Sequence, residues 1–339
     1  MEKAKNKKPG MLSKFFILLG IFLLSLIIFL YLAMFIICNG PSKRARDLFV
    51  TTCMETSFAR YFPPLVLSKQ TISDIQKANS IIDNGQSSET QLDFSDISVN
   101  TQGEDIEIHD VIGPTYKGKM MIVKDPSRVV VGTSAEAFSE DKPGKKLDKI
   151  IRDAGAVAGV NAGGFADEGG VGNGGMPLGL VIKNGKMLAG SPEGTYTVIG
   201  FDDKNMLHVG SMTGQQAIDK KLRDAVSFGP SLIVDGVPME VSGSGGGLNP
   251  RTAIGQREDG AVLILVVDGR QPHSLGANFK DLIEIMENFG AVNAGNLDGG
   301  SSSMMYHKGE LLNVCASLYG PRRIPTAILV TEESSNDSI

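Results

Sequence analysis

The chain has no tryptophan, three cysteines and four histidines in 339 residues. Each scarcity excludes something. Long grooves for neutral polysaccharides stack sugar rings on aromatic side chains, so a Trp-free chain with 6% aromatics suits a small or charged ligand better. Cys38, Cys53 and Cys315 are too few for a disulfide framework, and only a lone Cys53–Cys315 pairing stays open. No Cys-x-x-Cys or His-x-x-x-His spacing occurs, which argues against zinc. The net charge is −5, and no Lys/Arg cluster interleaved with aromatics appears in the long C-terminal part, so no nucleic-acid partner is expected.

What the chain does have is one long apolar run. Residues 15–38 are interrupted only by Gly20, Ser25 and Tyr31. As a helix they would span about 36 Å, enough to cross a bilayer. Lys3, Lys5, Lys7, Lys8 and Lys14 precede the run, and Lys43, Arg44 and Arg46 follow it. The charge bias predicts a single-pass protein of the cell membrane: residues 1–14 a cytoplasmic basic tail, 15–38 a transmembrane helix, the remainder extracytoplasmic. A cleaved signal peptide is the alternative, but no small-x-small site follows the run.

Residues 39–104 read as juxtamembrane helices and a linker. Asp47–Phe62 is a helix candidate stopped by Pro63-Pro64, and Ser73–Ile82 is a second. Asp83–Glu104 is rich in Asn, Ser, Asp and Gln and reads as the linker. Residues 105–332 form the folded domain, and 333–339 a polar tail with an Asn336-Asp337-Ser338 sequon. Within the domain, Asn184-Gly185, Asp235-Gly236, Lys308-Gly309 and Glu258-Asp259-Gly260 each separate two short apolar stretches, the pattern of hairpins. Asp125-Pro126-Ser127 likewise separates Lys119–Val123 from Val129–Gly132. Helical patterns are few: Lys146–Arg152, Gly214–Arg223 and Phe279–Asn288. The expected fold class is α+β, with mixed β-sheets, many hairpins and a few packed helices, preceded by the single transmembrane helix.

One unit occurs twice. Residues 153–164 and 288–300 each run from the end of a helix, through Gly-Ala-Val, into a small-residue strand ending in Asn and glycines. The repeat aligns Gly155 with Gly290, Asn161 with Asn296 and Gly164 with Gly299. Strands of this kind deliver polar groups on a rigid support with room for a ligand. Two other motif matches fail on context. Gly170–Gly175 satisfies G-x-G-x-x-G, but Met176-Pro177 and a hairpin follow where a dinucleotide fold needs a helix. Gly113–Lys119 has P-loop spacing but ends in Met120 rather than a hydroxyl residue.

Candidate chemistry gathers in four segments: Asn161–Phe165, Asn249–Gly255, Val266–Gln271 and Asn296–Ser303. The hairpin turning at Asp259-Gly260 would set Arg251 and Asp268 at one end, and Asp298 ends another buried strand. Asp298, with Asp268 second, is the candidate catalytic carboxylate. Arg251 and Arg270 suit a phosphate or carboxylate through guanidinium forks. The amides of Gly163, Gly164, Gly299 and Gly300 could approach an anion, and Asn161, Asn296, Ser301 and Ser302 could hold sugar hydroxyls. The plainer readings stay open: an edge ion pair for Arg251 and Asp268, and ordinary turns for Asn161 and Asp298-Gly-Gly. No cofactor is certain, although Asp268 and Asp298 beside carbonyl-rich turns are candidates for Ca²⁺ or Mg²⁺. Carboxylate, arginine and amide together suit glycosyl transfer from phosphate, because a departing phosphate monoester needs its charge stabilised more than it needs a proton.

These segments, in this order, resemble the motifs of the phosphodiester glycosidase family, as does Phe228-Gly229-Pro230. The resemblance covers roughly residues 105–332; the anchor and the Asp47–Ile82 stretch look like those of membrane-tethered bacterial members, often tied to exopolysaccharide. It implies an α+β hydrolase that cleaves a sugar-1-phosphodiester, such as one of N-acetylglucosamine, in a cell-envelope or exopolysaccharide glycan. Two alternatives remain at this stage. One is a non-catalytic glycan- or phosphate-binding protein of envelope assembly. The other is a serine esterase using Ser301 or Ser302 with His273, which lacks a Gly-x-Ser-x-Gly elbow.

Overall fold

A computed structural model describes residues 10–82, 84–89, 105–167, 172–317 and 320–333. Most of the expected linker, the sequon, and Gly170 and Val171 of the glycine-rich match lie outside the described residues.

The apolar run forms one helix, Met11–Asn39, almost bare of protein contacts until its last turns. Two shorter helices follow, Lys43–Met54 and Lys69–Ala78. Both start four residues before the sequence pattern suggests, because serines cap them. Ser42 Oγ accepts from Ala45 N at 3.2 Å and Ser68 Oγ accepts from Thr71 N at 3.1 Å, satisfying amides that the first helical turn leaves open. The first helix also ends early, at Met54. Two 3-10 turns, Ala59–Tyr61 and Pro63–Leu65, take up the chain. Pro63 and Pro64 thus open a turn, where a missing N–H does no harm, instead of merely stopping a helix.

The rest of the chain is α+β, as expected. A seven-stranded sheet runs in spatial order Ile106–Ile112, Lys117–Val123, Val262–Val267, Arg251–Arg257, Ala291–Leu297, Ser231–Val234, Val237–Pro238. A five-stranded sheet runs Lys186–Ala189, Val181–Lys183, Leu222–Ser227, Thr195–Asp202, Leu207–Thr213, and a second runs Glu310–Leu311, Met305–His307, Ala156–Asn161, Thr326–Thr331, Val129–Thr133. Neighbouring strands in all three sheets pair antiparallel. Val262–Val267 is buried at every position, which explains its unbroken apolar sequence: both faces of the large sheet are covered.

The hairpins at Asn184-Gly185, Asp235-Gly236 and Lys308-Gly309 form as expected, each with both turn residues at positive φ. The strands flanking Asp125-Pro126-Ser127 do not pair with each other. A 3-10 turn at Pro126–Arg128 carries the chain from the seven-stranded sheet to the sheet of Thr326–Thr331. The helix expected at Gly214–Arg223 stops at Asp219, because Leu222–Ser227 is drawn into the middle of a sheet. The pair Thr195–Asp202 and Leu207–Thr213 has no glycine in its turn. There Asp202 Oδ1 accepts from Lys204 N and Met206 N, both at 2.9 Å, and Asn205 takes the left-handed position.

The repeated unit is present in both copies. The helices Leu147–Asp153 and Phe279–Asn288 each close on a glycine with positive φ, Gly155 at 62° and Gly290 at 84°. The strands that follow belong to different sheets, yet their ends meet. Asp298 N donates to Ala162 O at 2.9 Å, and the Asn161 side-chain amide donates to Asp298 O.

Candidate active site

Where those strand ends meet, a cleft of ≈ 510 Å³ opens. The pairing register explains its make-up. Arg251 lies opposite Val267 on one neighbour, and Thr252 lies opposite Leu297 on the other. Arg251, Asp268 and Asp298 therefore share one end of the seven-stranded sheet, as expected from sequence. Their side chains then diverge.

Asp298 lines the cleft. Its Oδ1 accepts from Gly299 N at 2.9 Å, and the Ser302 hydroxyl also bonds the carboxyl. Burial pushes its pKa up to about 6, against the pull of those two bonds and of Arg322. Asp268 does not line the cleft. Its Oδ1 accepts from Val314 N at 2.9 Å and Asn313 Nδ2 at 3.1 Å, and its Oδ2 lies 3.5 Å from His273 Nε2. It fastens the Asn313–Val314 turn to the sheet.

Arg251 and Arg270 both line the cleft. Arg251 is 8% exposed, and its plane lies over Phe279 at 4.3 Å. It donates through Nε to Ala277 O at 3.2 Å and through Nη2 to Gly247 O at 3.0 Å and Glu55 Oε2 at 2.6 Å. Arg270 takes a left-handed backbone, φ 57°, and donates to Asn249 Oδ1 at 2.9 Å. Burial and the nearby Arg251 lower its pKa, and Glu55 opposes them. Gly300, also at positive φ, packs beside it; a Cβ there would sit 3.4 Å from the Arg270 guanidinium.

The asparagines of the repeat divide the work. Asn296 lines the cleft. Its Nδ2 donates to Gly229 O at 2.7 Å, while its buried Oδ1 has no partner among the described residues. Asn161 is fully buried and not part of the lining. Its Oδ1 accepts from Thr252 Oγ1 at 3.0 Å and Met304 N at 3.1 Å, so it pins three segments together behind Asp298. The glycine amides are engaged internally: Gly163 N with Thr326 Oγ1, Gly164 N with Ser227 O, Gly299 N with Asp298 and Gly300 N with Pro250 O. The cationic groups that line the cleft are the guanidiniums of Arg251, Arg270 and Arg322. Ser301 and Ser302 line the cleft, whereas His273 stands with Asp268 outside the lining. Among the described residues, no three His, Cys, Asp or Glu side chains converge on a point that could hold a metal ion.

Three cleft residues had no signal in the sequence reading. Glu55 follows the second helix and carries no motif. Its Oε1 accepts from Gly247 N at 2.8 Å, and its Oε2 accepts from Asn249 Nδ2 at 2.8 Å as well as from Arg251. Asp167, two residues past the Asn161–Phe165 segment, accepts a fork from Arg322 at 2.5 and 2.7 Å. Burial pushes Asp167 up, but the Arg322 fork and the Gly172 amide outweigh it, so its pKa falls below the ordinary carboxylate value. The Arg322 guanidinium lies 5.0 Å over the Phe165 ring.

Residues 154–331, more than half of the chain, match the family model for phosphodiester glycosidase. The chain belongs to the phosphodiester glycosidase family. Membership brings a glycosidase-type function, and Asp167, Arg251, Arg270, Asn296, Asp298 and Arg322 all fall inside the matched region; Glu55 falls outside it. A prophage-derived uncharacterized protein of Bacillus subtilis, YomE, is 33% identical over 168 residues, 47% of this chain and 25% of that protein. The chain thus spans about a quarter of that relative's length. The fold is shared with the zebrafish N-acetylglucosamine-1-phosphodiester alpha-N-acetylglucosaminidase catalytic domain, auto-inhibited by its pro-peptide. That likeness has a TM-score of 0.59 at 19% identity and covers 73% of this chain and 88% of that one.

Proposed function

We propose that the chain is a membrane-anchored, extracytoplasmic glycosidase that hydrolyses a sugar-1-phosphodiester in a cell-envelope or exopolysaccharide glycan. The observation that carries this is the charge of the cleft. Three guanidiniums, Arg251, Arg270 and Arg322, face two ion-paired carboxylates, Glu55 and Asp167, and one carboxyl without an ion pair among the described residues, Asp298. The three guanidiniums and the two paired carboxylates sum to one positive charge, which matches the single negative charge of a phosphodiester, and Asp298 adds the reacting carboxyl beside it.

Asp298 is the reacting carboxylate in this reading. The departing phosphate monoester needs no proton, so Asp298 acts ionised, as the nucleophile or as the base that activates water. Arg251 and Arg270 hold the phosphate and stabilise the second charge that develops as the bond to the sugar breaks. Asn296 Oδ1, an orphan buried acceptor, takes a sugar O–H or the N–H of an N-acetyl group. Asp268 and Asn161 are positioning residues. The apolar Met11–Asn39 helix anchors the protein with its N-terminus inside.

The test is to incubate the full chain, in detergent, with a panel of sugar-1-phosphodiesters, with and without chelator, and follow released sugar by NMR. A truncation starting at residue 83 would remove Glu55, so the whole chain is used. Release of one anomer supports the reading. Recovery of the intact diester bound to protein would mark a binding protein instead.

Two further outcomes are expected. The logarithm of kcat/KM rises with unit slope below about pH 6 and is flat above it, because free Asp298 must be ionised. The rising limb of kcat lies at higher pH, since a bound anion beside Asp298 raises its pKa further. A falling limb near pH 6 would make Asp298 an acid and sink this assignment. Glu55→Gln and Glu55→Ala should diverge. Gln keeps one acceptor oxygen, enough for Gly247 N or for the Asn249 and Arg251 donors but not for both, so it holds Arg251 in part and raises KM by less than Ala does. Ala releases Arg251 and raises KM by about tenfold, the value of one charge-assisted bond. Steady-state kinetics on the two variants decide it.

A further inference from the structure

The segment that carries Glu55 and Ser57 into the cleft continues as an apolar surface. Phe58 is 74% exposed, Tyr61 63%, Phe62 39% and Leu65 61%. Phe58 and Phe62 stack edge to face, with ring centroids 5.4 Å apart. Four large apolar side chains left in the open within eight residues form a patch rather than scattered exposure.

Its position relative to the long helix can be read from packing. Only three residues separate Asn39 from Lys43, yet Cys53, ten residues into the next helix, is close enough to Cys38 for that thiol to help raise its pKa. Cys38 also shares one apolar cluster with Val50, and Met34 and Met54 pack against that cluster. The second helix therefore packs against the last turns of the first, and the residues that follow it leave from the level of those turns. Met11–Asn39 would be roughly 43 Å long against a hydrocarbon core of roughly 30 Å, so its last turns reach the headgroup layer. Phe58–Leu65 follows directly after the residues packed on those turns. Tyr and other aromatic side chains at that depth are the usual interfacial anchors. The same stretch borders the cleft: Ser57 lines it, and Arg60 acts on the cleft carboxylate Asp167.

We propose that Phe58–Leu65 docks into the lipid interface and seats the mouth of the cleft at headgroup level, so that the phosphodiester it takes is carried by a membrane-embedded lipid. This rests on the anchored glycosidase of the preceding section. The partner is the bilayer surface itself. The substrate's sugar and phosphate stand in the cleft while its hydrocarbon tail stays in the membrane, and the site need not lift the tail into water.

The absence of tryptophan makes the test direct. Single-Trp variants of the full chain are reconstituted in vesicles with and without brominated lipid. Ile27→Trp reports the anchor, Phe58→Trp the docking surface, and Glu258→Trp the hairpin at the far end of the Arg251–Arg257 strand. Quenching at positions 27 and 58 but not 258 is expected. Quenching at 27 alone overturns the docking surface and leaves the anchor standing; no quenching at 27 overturns both. A second arm compares a sugar-1-phosphodiester of a long-chain alcohol in the vesicle with the methyl diester in solution. Replacing Phe58 and Phe62 by Ser should lower turnover of the first about tenfold and leave the second unchanged. Equal loss on both would overturn the lipid-borne substrate.

Discussion

Asp298→Asn is expected to lower kcat/KM by about a thousandfold or more and, above pH 6, to make the protein more stable. The activity loss follows from removing the cleft carboxyl that has no ion pair among the described residues, the group that in this reading attacks the sugar or activates its water. The stability gain follows from the sign of the pKa shift. Burial raises the folded pKa of Asp298 from an ordinary 3.8 to about 6. Below the unfolded value the carboxyl is neutral in both states and nothing is lost. Between about pH 4 and 6 the folded protein holds a proton that the unfolded chain has released, so stability falls as pH rises. Above 6 the full penalty stands, on the order of 2–3 kcal/mol for two units. Asn carries no charge to desolvate, and its oxygen still accepts from Gly299 N. Thermal unfolding of both proteins at pH 4 and pH 8 checks this. The difference should be small at the lower pH and amount to several degrees at the higher. A carboxylate whose removal abolishes turnover while relieving burial strain is the usual trade of stability for activity at a reacting centre. Undiminished activity in Asp298→Asn would remove the assignment.

Much of this site was legible because it is built from local patterns. The twin helix–Gly–strand units announced themselves through Gly155 and Gly290, which only a left-handed helix end requires. The Asp259-Gly260 hairpin fixed which end of the sheet Arg251 would occupy. What the sequence could only rank was Asp298 ahead of Asp268. Both end buried strands and both precede glycine. The difference lies in the turn at Asn313–Val314, some 45 residues on from Asp268, which closes over that carboxyl and takes its lone pairs. Glu55 was hidden for a related reason. Its meaning comes from a contact 196 residues away in the chain, made by a segment whose own pattern shows only a helix end. Asp167 and Arg322 likewise find each other across 155 residues. Periodicity and turn chemistry report on neighbours; pairings between distant loops leave no local trace.

Arg251→Ala is expected to lower kcat/KM for a sugar-1-phosphodiester by roughly 10²–10³-fold, from the loss of the charge and of the bonds that Nη1, the nitrogen not engaged with Ala277, Gly247 or Glu55, can make to a desolvated anion. The loss should fall more on kcat than on KM. In the ground state the phosphate carries one negative charge; as the bond to the sugar breaks it gains a second, and an arginine already in place stabilises the second charge most. A substrate whose leaving group is an uncharged aryl alcohol has no phosphate to hold, so wild type and Arg251→Ala should turn it over at nearly equal rates. Equal loss on both substrates would show a damaged fold instead of a missing phosphate ligand. Arg251→Lys keeps the charge but not the combined bonds to Ala277, Gly247 and Glu55 or the stacking on Phe279, and belongs between the two. Glu55 completes the case. If it acts by holding Arg251, then Glu55→Ala in the Arg251→Ala background changes kcat/KM little, although alone it raises KM. If Glu55 touches the substrate itself, the two losses add. The double-mutant cycle separates these outcomes, because residues 2.6 Å apart that act through one another cannot be additive.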